Sequence, residues 1–300
     1  HWGSWLTRAG RWAEAEASLR NALDRDANSV DAWINLAALL GDLHRDGESE
    51  AAWREALRRA PGHPRASLGL GLHLLRLGRF AEAWPFHAAR HDPSFRHFGT
   101  TPPTPAWPRW SGEPLAGRSL VIWPEQGHGD LLQFIRYAPV VKAMGLARLT
   151  VLCRPELAGL VRGVEGVDAV VTAEAALDAH DLWAFLMDLP ERVGTTLAIL
   201  PARLPYLHAD AARRARWRPL LPQGPRIGLV WRGRPAHDND AHRSLAALTL
   251  LAPLWAAAAG RAPFISLQKG AGEDEALSPP PDQPLLALGH RCADFADAAA

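Results

Sequence analysis

The sequence predicts an α-helical repeat array followed by an α/β region built from two strand-and-helix halves. Three observations carry this reading. Related helical segments recur 34 residues apart in the first third, a Pro- and Gly-dense stretch follows, and beyond it short β-rich runs alternate with helical patterns. The expected division is a repeat domain over 1–92, a linker over 93–117, a first α/β lobe over 118–222 and a second over 223–300.

In the first segment, Gly10–Leu23 (GRWAEAEASLRNAL) is matched by Gly78–Arg90 (GRFAEAWPFHAAR), and Ala22 and Ala56 stand 34 residues apart. Between them, Trp33, Leu36, Ala37, Trp53, Ala56 and Pro61 fall at the offsets of a tetratricopeptide repeat. Small residues such as Ala15, Ala37 and Ala83 suit the close approach of paired helices, and large ones fill the space between successive hairpins. About two and a half repeats are present, too few to bury their own faces, so the array is expected to dock on further structure. At least three of Trp12, Trp33, Trp53 and Trp84 are expected in the core.

His91–Gly117 shows neither the helical nor the strand period and marks a boundary, with Trp107 and Trp110 anchoring it to a neighbouring surface. The runs SLVIW, LTVLC and VDAVVT then read as strands. They are separated by helical patterns such as Leu131, Phe134, Ile135, Ala138 and Val141. A second series begins at RIGLVW (Arg226–Trp231), passes through an Ala-rich helix expected to start near Ser244, and returns at PFISLQKG (Pro263–Gly270). Strands alternating with helices predict parallel sheets with right-handed crossovers.

With 48% hydrophobic residues, 22% charged and a formal charge of +1, the chain has no bulk electrostatic drive towards nucleic acid or anionic lipid, and no nucleic-acid partner is expected. Cys153 and Cys292 form no CxxC and no metal-binding spacing, which fits a reducing cytoplasm, the expected location. The longest uncharged run, Ser244–Gly260, is broken by Pro253 and falls short of the roughly 20 residues of a membrane span, so a buried helix is expected there.

The loop EQGHGD follows a buried strand and opens a helix, a position at the carboxyl edge of an open sheet where ligands bind. Gly127 and Gly129 begin a GxGxxG pattern, but Leu132 replaces its third glycine and Arg154 stands where an NAD-binding acid is expected. An arginine there keeps an NADP-linked oxidoreductase as an alternative, and no P-loop sequence occurs. Asp130, with Gln133 three residues on, reads locally as a helix cap ahead of a catalytic base, and Glu125 carries the same ambiguity. His128 reads as a solvent-facing loop histidine. Arg243, ahead of the expected helix at Ser244, suits a diphosphate. HDNDAH (His237–His242) lacks the ligand offsets of a metal loop and reads as a polar active-site loop; no metal is expected. RRARWR (Arg213–Arg218) reads as a solvated helix face.

The segments GRFAEAWPF, PRWSGEPLAGRSLVIWPEQGHGDLLQFIRYAP, RPELAGLV, GTTLAILPARLPYL, RIGLVWRGRP, NDAHRSL and FISLQKG, in this order, resemble a family of bacterial tetratricopeptide-repeat glycosyltransferases. That family is related in fold to the heptosyltransferases and in layout to O-GlcNAc transferase. The resemblance implies a GT-B architecture of two Rossmann-like lobes, the acceptor lobe first and the nucleotide-sugar lobe second. It implies Asp130 as base, assisted by Glu125, Gln126 and the backbone of Gly127, His128 and Gly129. Arg243, Ser244, Trp231 and Gly233 would line the donor diphosphate, with Gln268 and Lys269 at the strand edge. The donor is a substrate, no cofactor is implied, and the repeats would position a protein or glycan acceptor. Family members carry a leucine at the position of His128 and differ over Asp181–Glu191; they also continue past Asp294–Ala300, so the resemblance implies an incomplete second lobe, and weak or absent activity is expected of this chain. The alternative is a non-catalytic repeat scaffold with a degenerate transferase half.

Overall fold

The computed structural model describes residues 10–98, 105–237, 240–258 and 260–300. Helices α1 (Trp12–Arg25), α2 (Val30–Asp42), α3 (Asp46–Arg59), α4 (Pro64–Arg76) and α5 (Phe80–His87) form the repeat array. Strand β1 (Ser119–Trp123), helices α6 (His128–Phe134) and α7 (Ala138–Ala143), and strand β2 (Arg148–Leu152) come next. They are followed by α8 (Pro155–Val161), β3 (Ala169–Val171), β4 (Leu182–Phe185), α9 (Leu189–Arg192) and α10 (Ala211–Trp217). The last part comprises β5 (Ile227–Leu229), α11 (Ala252–Ala258), β6 (Phe264–Ser266), α12 (Glu273–Leu277), β7 (Leu285–Ala287) and α13 (Phe295–Ala298).

These elements fall into two compact units. One comprises the chain up to Leu115 with Pro124–Met144 and Asp181–Ala202; the other comprises Ala116–Trp123, Gly145–His180 and Arg203–Ala300. The lines of division differ from those expected from composition. Packing explains why two stretches of the expected first lobe go with the repeats: Trp84 Nε1 donates to the Thr195 carbonyl at 3.3 Å, and Thr195 Oγ1 donates to Tyr137 Oη at 3.0 Å.

In the repeat unit, two helical hairpins follow a leading helix, in line with the expected two and a half tetratricopeptide repeats. Ala15, Ala37, Ala56, Ala66 and Ala83 are fully buried, which lets helix backbones close on one another, and Leu36, Leu39, Leu40, Leu70 and Leu74 fill the core between them. Trp53 is buried and Trp33 packs against the same core, whereas Trp12 is 46% exposed. A ladder of ion pairs repeats with the sequence period: Arg11–Glu14, Arg45–Glu48 and Arg79–Glu82 each join the residue before a helix to its first turn. Pro85 lies inside α5, which ends two residues later, consistent with the lost N–H and ring clash of an interior proline. The 105–115 segment is anchored as expected. Trp110 is fully buried, its N–H donates to the Trp183 carbonyl, and its Nε1 donates to the Glu113 carbonyl.

The second unit holds two parallel ladders. β2 lies between β3 and β1, with Ser119 opposite Arg148 and Thr150 opposite Ala169. β6 lies between β5 and β7, with Ile227 opposite Phe264 and Phe264 opposite Leu285. Alternation along β6 buries both faces: Phe264 joins Leu229, Trp231, Leu248 and Ala276, while Ile265 joins Trp217, Leu288 and Cys292. Among the described residues, no helix is long and apolar enough to cross a membrane.

One expected element is displaced. The Ala-rich helix does not begin near Ser244; regular α-structure starts at Ala252 after a tight turn over Leu248–Leu251. The amides upstream are used otherwise. Ser244 N–H donates to the Asp240 carbonyl, Leu245 N–H to the Trp231 carbonyl, and Leu248 N–H to Glu275 Oε2 at 2.6 Å. Arg243 therefore does not stand at a helix N-terminus with free N–H groups.

Candidate functional site

In the repeat unit, the EQGHGD loop leads into α6 through Gln126, held in the left-handed region at φ 60°, and Gly127, extended at φ −93° and ψ −179°. Gly127, not Asp130, occupies the cap position. Asp130 sits three residues inside the helix and accepts the Gly127 N–H on Oδ2 at 2.8 Å, the acidic half of a capping box. Gln133 takes no part in that cap as its partner. Asp130 and His128 are half-buried, and Gln126, Gly127 and Gly129 are exposed. A side chain at Gly129 would meet open space, so that glycine answers no crowding in the folded chain.

Glu125 has the opposite environment. Its side chain is 1% exposed and lies 3.3 Å from Arg90 Nε; its Oε2 also accepts the Met187 N–H at 3.3 Å. Arg90 bonds Asp188 as well, and Arg109 grips the same carboxylate through Nε at 2.9 Å and Nη2 at 2.7 Å. His91 stacks on Phe185 with centroids 4.9 Å apart, and its Nε2 lies 2.7 Å from Arg109 Nη2 and 3.4 Å from Asp188 Oδ1. Burial alone pushes the Asp188 carboxyl up, but the adjacent His91 ring and the Arg90 and Arg109 guanidiniums hold it well below the ordinary carboxylate range. Burial and the charge of Arg90 hold the neighbouring His87 down at about 4. His91, Glu125 and Asp188 bring three ligand-type atoms within 4.8 Å of one another. The two guanidiniums already neutralise both carboxylates and would repel a cation, so the arrangement suits a closed ionic clasp. Glu125 is thus a partner in a buried ion network.

Sequence reasoning passed over Arg90, His91, Arg109 and Asp188. One signal was present: Asp188 follows the apolar strand LWAF as Glu125 follows SLVIW, an acid just past a buried strand in both cases.

In the other unit, five expected donor-binding residues meet at the carboxyl edge of the β5–β6–β7 sheet. Gln268, 1% exposed, accepts the N–H groups of Trp231 (2.9 Å) and Arg232 (3.0 Å) on Oε1. Its Nε2 donates to the Arg232 and Ala271 carbonyls. Ser244 Oγ accepts the Gly233 N–H at 2.8 Å and donates to Asp240 Oδ1 at 2.6 Å. A Cβ at Gly233 would lie 2.9 Å from Arg243 Nη2, which places the guanidinium directly over this glycine. Arg243 is 45% exposed, with Asp240 Oδ1 3.8 Å from its Nε. Trp231 is buried, and its Nε1–H has no acceptor among the described residues, an omission that costs about 1–3 kcal/mol. Lys269 departs from expectation: its ammonium donates to the Cys292 carbonyl at 2.7 Å, tying the two loops together. In HDNDAH, Asp238 and Asn239 lie outside the described residues, and Asp240 is taken up by Ser244. In RRARWR, Arg213 is not a solvated side chain, since it pairs with Asp294 and Asp297. Arg154 is exposed at the start of α8.

No family model matches the chain. It is 30% identical over 257 residues to Protein FlbA of Caulobacter vibrioides, a match covering 76% of this chain and 42% of that protein. The chain thus spans about two fifths of the curated relative's length. Among solved structures, YrrB, titled a TPR protein with an unusual peptide-binding site, overlaps 31% of the chain and 48% of its own, with 19% identity and a TM-score of 0.28. The TPR2B domain of yeast Sti1 in complex with pHsp70 overlaps 33% and 79%, with 21% identity and a TM-score of 0.30. A mutant O-GlcNAc transferase of Thermobaculum terrenum overlaps 58% and 40%, with 15% identity and a TM-score of 0.27. The repeat assignment rests on the helix packing and period of this chain rather than on these overlaps.

Proposed function

We propose that this chain is part of a nucleotide-sugar-dependent glycosyltransferase whose repeats recruit a protein or glycan acceptor. The observation that carries the reading is the convergence of Trp231, Gly233, Arg243, Ser244 and Gln268 on one carboxyl sheet edge, where open α/β sheets take ligands. An exposed guanidinium there offers charge-assisted bonds to a diphosphate. In the reaction, the acceptor oxygen bonds to the anomeric carbon and the bond to the diphosphate oxygen breaks. The nucleotide diphosphate leaves with the electron pair, and Asp130 takes the acceptor proton.

The test is a thermal-shift panel of UDP, GDP, ADP and CDP sugars. A ligand at 100 times its Kd contributes about 2.7 kcal/mol. One nucleotide is expected to raise Tm, with affinity falling at least tenfold in Arg243→Ala. No shift with any of the four sinks the donor site.

One observation favours a repeat scaffold with a degenerate transferase half: the late start of α11 removes the helix N-terminus expected beside Arg243 as a phosphate contact. The partner would lie along a 380 Å³ groove lined by residues including Ala37, Gly41, Trp53, Leu72, His73 and Arg76, with Leu72 52% exposed. On that reading Leu72→Asp abolishes partner capture and Asp130→Asn changes nothing.

A further inference from the structure

We propose that Arg90, at the end of the repeat array, is the positioning residue for the EQGHGD loop, fixing through Glu125 the backbone that orients Asp130. This deepens, and rests on, the reading of Asp130 as the acceptor-side base.

Arg90 follows α5 by three residues, and its Nη1 donates back to His87 Nδ1 at 3.1 Å, which ties the guanidinium to the last repeat helix. Its remaining donors reach Glu125 at 3.3 and 3.4 Å and also bond Asp188. The Arg90 side chain is 7% exposed and that of Glu125 1%. Arg109 makes its bonds to Asp188, so Arg90 supplies the countercharge to Glu125. From Glu125 the chain passes through one left-handed residue, Gln126, to Gly127, whose N–H is held by Asp130. Moving Glu125 shifts the Gly127 amide and with it the hydrogen bond that aims the Asp130 carboxylate. Without Arg90, Glu125 would be a buried carboxylate lacking its countercharge, an arrangement that drives the group towards water and loosens the loop.

Hydrogen–deuterium exchange on the full 300-residue chain tests this without donor or acceptor, so a failed turnover assay would bear on the transferase reading alone. Arg90→Gln is expected to speed exchange of the Gly127 and Leu131 amides at least tenfold while leaving Val151 and Leu152 in β2 unchanged. Arg90→Lys, which keeps the charge but not the fork, recovers part of the protection. Leu70→Ala, a cavity in the repeat core away from the cluster, is the control for general destabilisation and leaves the loop at its original rate. The proposal is overturned by unchanged loop exchange in Arg90→Gln, or by an equal effect from Leu70→Ala. If Arg90→Gln does not fold, Glu125→Gln is measured instead; it keeps the shape but loses the ionic grip. Faster exchange at Gly127 supports the assignment, and the original rate rejects it.

Discussion

At the scale of single residues, Glu125 and Asp130 share one loop, yet one is buried in an ion network and the other half-exposed on a helix turn. Asp130→Asn is expected to lower turnover by about 10²–10⁴-fold, as loss of a general base does. Its stability cost is about 0.5–1 kcal/mol, because only a capping bond weakens; paired kinetics and urea titrations separate the two. Asp188→Ala leaves the buried Arg90 and the partly exposed Arg109 short of a carboxylate and is expected to cost about 3 kcal/mol in urea unfolding. His87 gives a pH signature. Its folded value of about 4 lies below the ordinary 6.5, so between the two the unfolded chain binds the extra proton. Stability is full above pH 6.5 and falls by about 3 kcal/mol as pH drops towards 4. Unfolding of His87→Gln between pH 4 and 7 should lack that component of the slope.

At the scale of elements, glycines show where helices and loops touch. A Cβ at Gly71 in α4 would lie 2.9 Å from the His87 backbone nitrogen, so Gly71→Ala forces α4 from α5 and is expected to cost about 1–3 kcal/mol. Gly47, inside α3 with nothing within 4 Å, is the contrast: Gly47→Ala is expected to gain up to about 1 kcal/mol in thermal unfolding through helix propensity. The hairpins, their period and their small-residue contacts were legible because a 34-residue repeat writes each contact more than once. The onset of α11 was not legible. Alanines from Ala246 onward favour helix, but the backbone groups of Ser244, Leu245 and Leu248 bond to Asp240, Trp231 and Glu275 instead.

At the scale of the whole molecule, the proposed chemistry gives the acceptor-side base and the donor-side cation separate kinetic signatures. Asp130→Asn should lower kcat with donor KM retained, whereas Arg243→Ala should raise donor KM with a smaller effect on kcat. Equal effects of both on a single constant would contradict that assignment. The candidate site was partly legible. The sequence nominated Trp231, Gly233, Arg243, Ser244 and Gln268 as a group, and they do meet at one sheet edge. Lys269 was misread because its carbonyl partner, Cys292, lies 23 residues away.

The sequence by itself determined the helical repeats, the strands β1, β2, β3, β5 and β6 and the positions of the loops that follow them, because those features follow from period and turn chemistry within short windows, whereas it did not announce β4 and β7. Only the tertiary structure decided the fate of the charges. Arg90 and Asp188 are 98 residues apart, and Arg109 and Asp188 are 79 apart. No local pattern announces such pairs. Burial turns them into a neutral clasp, and burial belongs to the folded chain.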